Sequence, residues 1–144
     1  MNKTWQDSEK DFEEKIASLG KKAFLHRITD TKEVNRGKNF GKKTIVKAQP
    51  SDYTLTWNNN MAYAEVKHCS NETSFPFSNF TKGQMIAMRK QNAAGGKYLV
   101  FIYHAIEDTW YLLSGQLILG VIDEGNKSIP WNKIGHKKWN VHQF

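Results

Sequence analysis

Two β-prone runs, Ser51–Trp57 and Met61–His68, stand on either side of Asn58-Asn59-Asn60. This arrangement constrains the chain more than any other feature. Asparagine tolerates the left-handed backbone of tight turns, so the segment reads as an antiparallel hairpin. Residues i and i+2 of a strand share a face, which sets Glu65 and Lys67 side by side. Asp52 lies thirteen residues before Glu65. If it sits on the neighbouring strand, two carboxylates and one ammonium meet in a small volume. Close carboxylates repel unless a cation joins them, and hard oxygen ligands suit Mg²⁺ or Mn²⁺. A lysine beside such an ion can stabilise developing negative charge or help position an attacking water. The layout implies metal-dependent phosphodiester chemistry.

Other elements group around the hairpin. Phe12, Ile16 and Leu19 recur at helical spacing, which predicts a helix from Ser8 to about Leu19, capped by Ser8 and ended by Gly20. Thr81 to Ala94 reads as a second helix, with Thr81 as its cap and Gly95-Gly96 as its terminator. Tyr98–Tyr103 is an almost continuous apolar run, as a central buried strand should be. Trp110–Ser114 reads as another strand, and weak extended pieces such as Thr44–Ala48 precede the hairpin. The order α, β, β, β, α, β, β predicts an α/β (α+β) fold with a mixed central sheet flanked by helices. A chain of 144 residues suits one domain, residues 1–144.

Charge points to a phosphate-rich partner. Between Lys21 and Lys47 nine basic residues face only Asp30 and Glu33, so this segment alone carries a charge equal to the +7 of the whole chain. A localised basic stripe is the footprint of a nucleic-acid binder, although a solvated lysine-rich loop has the same composition. Cys69 is the sole cysteine, which excludes an intrachain disulfide and a cysteine-built zinc site and predicts a small buried hydrophobe. Met1 to Glu14 is charged and has no apolar core, so it does not read as a secretory signal, and no apolar run reaches the length of a membrane span. A cytoplasmic location is the expectation. The five histidines show no metal-ligand spacing.

Asp52-Tyr53, then Ala62-Tyr63-Ala64-Glu65-Val66-Lys67, then Thr73-Ser74-Phe75-Pro76-Phe77-Ser78-Asn79-Phe80 with Gln84, resemble the core of RecU-type Holliday junction resolvases. That family belongs to the PD-(D/E)XK nuclease superfamily, with a restriction-endonuclease-like core. An acid–x–Lys with an upstream Asp is a weak signal, whereas the Thr-Ser-Phe-Pro run is far more specific. The resemblance covers residues 50–114 well and the first helix weakly.

The resemblance implies particular roles. Asp52, Glu65 and the Val66 carbonyl would bind the metal, Mg²⁺ with Mn²⁺ as substitute, and Lys67 would be the catalytic lysine. Phe12-Glu13 fits the apolar–Glu pattern that such nucleases carry on the first helix, which makes Glu13 the third acidic candidate and Glu14 its rival. Gln84 would support the site or touch the backbone near the scissile phosphate. A basic stalk that enters the junction centre would occupy Thr29–Gln49, with Lys32, Arg36, Lys38, Lys42, Lys43 and Lys47 on DNA. Four-way or other branched DNA would be the substrate, and two symmetric cuts would call for a homodimer. Two alternatives stay open: a nicking or sequence-specific endonuclease of the same fold, and a non-catalytic DNA-binding recombination or replication factor. The basic aromatic tail, Asn126–Phe144, lies outside the resemblance. Its Trp131 and Trp139 could stack on bases or seal a core edge. Phe75, Phe77 and Phe80 read as core.

Overall fold

The computed structural model describes residues 3–28 and 49–144. Thr44–Ala48 and the six candidate DNA-binding residues Lys32, Arg36, Lys38, Lys42, Lys43 and Lys47 lie outside the described residues, as does nearly all of the stalk-like segment.

The hairpin forms as its asparagines dictate. Asn58 and Asn59 both adopt positive φ, 44° and 63°, the pairing that a tight two-residue hairpin turn needs. Asn60 already belongs to a strand, where it pairs with Trp57. The turn is therefore two residues long rather than three. The strands are β2 (Tyr53–Trp57) and β3 (Asn60–Cys69). Asp52 stands just ahead of β2, and because Tyr53 lies opposite Ala64, the register carries Asp52 alongside Glu65.

A strand that the sequence reading leaves unassigned, β1 (Ala23–Arg27), pairs antiparallel with β2 and forms one edge of the sheet. Its residues are exposed or half-buried, so no apolar alternation betrays it within a lysine-rich stretch. β3 then runs parallel to β5 (Lys97–His104), and β5 pairs antiparallel with β6 (Thr109–Ser114). The five-stranded order is β1-β2-β3-β5-β6, mixed as expected. A second sheet of two short strands, β4 (Ser74–Pro76) and β7 (Ser128–Pro130), ties the Phe75 segment to the tail.

Helices cover both faces. α1 (Trp5–Ala17) starts earlier than Ser8, because Thr4 caps it: the Thr4 hydroxyl accepts from the Asp7 amide, and Asp7 returns the bond. Ser8 is instead buried. Phe12 and Ile16 of α1 pack with Tyr53, Leu55, Val66 and Phe101 on one sheet face. On the opposite face α2 (Lys82–Ala93) and α3 (Gly115–Asp123) cover Tyr98, Val100, Ile102 and Leu113. α3 is absent from the sequence reading, since Leu117, Ile118, Leu119, Val121 and Ile122 show little polar alternation between two glycines. Its signal was the cap, where the Ser114 hydroxyl accepts from the Leu117 amide at 3.1 Å.

The tail closes the core rather than presenting bases with a platform. Trp131 stacks on buried His104, with ring centroids 4.0 Å apart, and Trp139 meets Phe101 edge-on. Phe144 stacks on Trp57. Phe75, Phe77, Phe80 and Cys69 are buried, as read from sequence. Among the described residues no helix is long and apolar enough to cross a membrane.

Candidate active site

Strand pairing brings Asp52 and Glu65 together, and the backbone locks them. The Asp52 amide donates to Glu65 Oε2 at 3.1 Å, and the Val66 amide donates to Asp52 Oδ2 at 3.1 Å. Each carboxylate is thus oriented by the main chain of the other's strand. Glu65 is 2% exposed. Burial, reinforced by the negative charge of Asp52, pushes its carboxyl up to about 9. Such a pair lacks positive charge.

Lys67 supplies some of it. On the same face of β3 as Glu65, its Nζ lies 3.6 Å from Glu65 Oε1. It also donates to the Asn79 carbonyl at 2.8 Å and to Gln84 Oε1 at 2.9 Å. Gln84 joins the parts: its Nε2 donates to Glu65 Oε1 at 2.9 Å, while its Oε1 also accepts from the Thr81 amide. Gln84 is the third residue of α2, and Thr81 accepts from its amide in return, which completes a capping box. The side chain that starts α2 therefore holds the Glu65 carboxyl and the Lys67 ammonium in register.

The glutamates of α1 are placed differently from the sequence expectation. Glu14 is exposed. Glu13 accepts from the Tyr53 hydroxyl at 2.6 Å and from Arg27 Nη1 at 3.1 Å, contacts that occupy it beside the cleft rather than in it. The residue that lines the cleft is Glu9, together with Trp5, Asp52, Glu65, Val66, Lys67, His68, Asn79 and Gln84. Partial burial and the charge of Asp52 raise the Glu9 carboxyl above its ordinary range, against the pull of Arg27 at 3.2 Å. Glu9 and Glu13 are about one turn apart on the same face of the helix. Only the axial position of α1 on the sheet separates them, and a sequence carries no such coordinate. The cap at Thr4 was the available clue, since it brings the first turn of α1 into play. His68, given no chemistry from sequence, also lines the cleft, with its Nδ1 2.7 Å from the Ser8 hydroxyl.

The donor set fits a hard divalent cation. Two carboxylates and a carbonyl-bearing backbone segment converge on one cleft, and an ion would relieve the repulsion between Asp52 and the buried Glu65 carboxyl. Among the described residues no three His, Cys, Asp or Glu side chains close on one point. An ion here would keep coordination positions for water and phosphate, as Mg²⁺ commonly does.

The model of the RecU family, described as recombination protein U, matches residues 2–144 of the chain. Among solved structures, the Holliday junction resolvase Hjc of Archaeoglobus fulgidus superposes with a TM-score of 0.51 at 12% sequence identity, over 78% of this chain and 78% of that one. At that identity the likeness concerns the fold. No curated protein matches the chain.

Proposed function

The chain belongs to the recombination protein U family, and on that premise we propose that the cleft between Asp52, Glu65 and Lys67 is its active site, with Mg²⁺ as the working ion. The family is one of Holliday junction resolvases, divalent-metal-dependent endonucleases that act on branched DNA. The observation that carries the residue assignment is the reciprocal locking of Asp52 and Glu65, with Lys67 tied to Glu65 through Gln84.

Asp52, Glu65 and the Val66 carbonyl would hold the ion, with Glu9 in place of Glu13 as the carboxylate reaching in from α1. When bound, the ion would lower the pKa of a coordinated water and neutralise charge on the phosphate. Lys67, fixed by two oxygen acceptors, keeps an ammonium aimed at the space where charge grows on the phosphoryl oxygens. Gln84 is a positioning residue: it fixes the Glu65 carboxylate and the Lys67 ammonium relative to each other. The segment from Lys32 to Lys47 would hold the flanking arms through phosphate contacts. Two symmetric cuts per junction call for two such sites, and a homodimer provides them.

End-labelled four-way junctions, beside matched linear and nicked duplexes, test this reading with Mg²⁺ or Mn²⁺. Paired symmetric cuts confined to the junction, and abolished by Asp52→Asn or Glu65→Gln, are the expected result. A variant that cuts as well as wild type would remove its residue from the active site.

A further inference from the structure

Four of the five tryptophans are engaged in aromatic packing. Trp57 stacks on Phe144, Trp110 meets Tyr103 and Phe12, Trp131 lies on His104, and Trp139 abuts Phe101. Trp5 makes no such contact among the described residues, and 56% of its surface is exposed. Other large apolar side chains are exposed too, namely Phe24, Met61, Ile86 and Ile106. Of these five, only Trp5 borders the cleft that holds Asp52, Glu65 and Lys67. It precedes Glu9 by four residues, so the two share a helix face about 6 Å apart along the axis. The cap at Thr4, the residue before it, holds this first turn in helical form. The buried Ser8 hydroxyl bonded to His68 pins the same turn to β3. An indole on so rigid a support loses little freedom when it binds.

A tryptophan left in water beside a phosphate-cutting site offers a flat π-face as well as an indole N–H donor, and the π-face is what a base can use. At a branch point strands exchange partners, and bases next to the scissile phosphate can leave the stack. We propose that Trp5 stacks on an unpaired base at the branch, one step from the scissile phosphate, and so helps the enzyme choose junctions over continuous duplex. This rests on the active-site reading given above, and its test is separable from that reading. One stacked base contributes about 1–3 kcal/mol, a factor of roughly 5 to 150 in affinity.

Tryptophan fluorescence of the Asp52→Asn protein, titrated with a four-way junction, reads the contact without cleavage. A four-way junction and a single-stranded oligonucleotide should quench the emission, and fully paired duplex should not. Adding Trp5→Phe to that protein should abolish most of the junction-induced quench, since the other four indoles are packed. In the otherwise native enzyme, Trp5→Ala should raise KM for junction cleavage about tenfold to a hundredfold, with Trp5→Phe in between and thermal unfolding unchanged. An equal quench by duplex, or KM within about twofold of wild type for Trp5→Ala, would overturn the proposal. If instead Asp52→Asn cleaves normally, the site assignment falls while the quench still reports on Trp5.

Discussion

Glu65 is a carboxyl buried against a second carboxyl, and its protonation should govern how the metal-free protein responds to pH. The folded-state value is pushed up to about 9, above the ordinary 4.5. Between these values the folded chain binds more protons than the unfolded one, so stability falls as pH rises. Metal-free wild type should therefore lose unfolding free energy steadily from about pH 5 to about pH 8. Glu65→Gln, which cannot ionise, should flatten that slope in denaturant titrations, and equal slopes in the two proteins would refute the argument. Gln84→Ala should lower kcat about tenfold to a hundredfold with little change in KM, because the change disturbs the aim of Glu65 and Lys67 and leaves DNA contacts intact. At this scale the sequence was informative where chemistry depends on strand alternation. Spacing and motif pointed to Asp52, Glu65, Lys67 and Gln84, and these four line one cleft. They did not point to Glu9, because its position depends on how α1 seats on the sheet, and His68, on β3, has no ligand spacing to single it out. Tyr53 and Arg27 then divert Glu13, and neither interaction leaves a trace in a linear pattern.

Among the elements, α2 joins stability to the site through its first turn. Thr81→Ala removes the hydroxyl that accepts from the Gln84 amide and should cost about 1 kcal/mol, a fall of roughly 2–4 °C in Tm. Activity should fall little beyond the loss of stability, because the Thr81 amide that donates to Gln84 Oε1 survives the change. α3 depends on a close approach instead. A Cβ at Gly115 would meet Met88 Cγ at 2.9 Å and Tyr98 Cβ at 3.1 Å. Gly115→Ala should destabilise by about 1–3 kcal/mol through overpacking, and calorimetry will show whether Met88 can yield. The hairpin and α2 were legible because asparagine turns and a Thr–Gln capping box are local signals. β1 was not, since an exposed edge strand carries no alternating apolar code. α3 was missed because its exposed stripe, Gln116, Gly120 and Asp123, holds only two polar side chains in a nine-residue helix.

At the scale of the whole molecule, a buried acidic site sits in a strongly basic chain. Junction binding should weaken steeply with salt. Replacing Lys38, Lys42 and Lys43 with Gln should reduce the slope of log K against log salt by about one for each phosphate no longer neutralised. Sedimentation should give twice the mass of the 16.6 kDa chain if two sites cut in concert. The mixed sheet and its family were readable from one stretch, residues 50–114, whereas the tail was not. Its tryptophans have the composition of a nucleic-acid surface, but long-range packing against Phe101 and His104 draws them into the core. The central claim is that Asp52 and Glu65 form a divalent-cation site. Mn²⁺ binding, followed by electron paramagnetic resonance in wild type, Asp52→Asn and Glu65→Gln, tests it most directly. Saturable binding in wild type that disappears or weakens at least about tenfold in both variants is the predicted result. Equal Mn²⁺ affinity in all three proteins would contradict it.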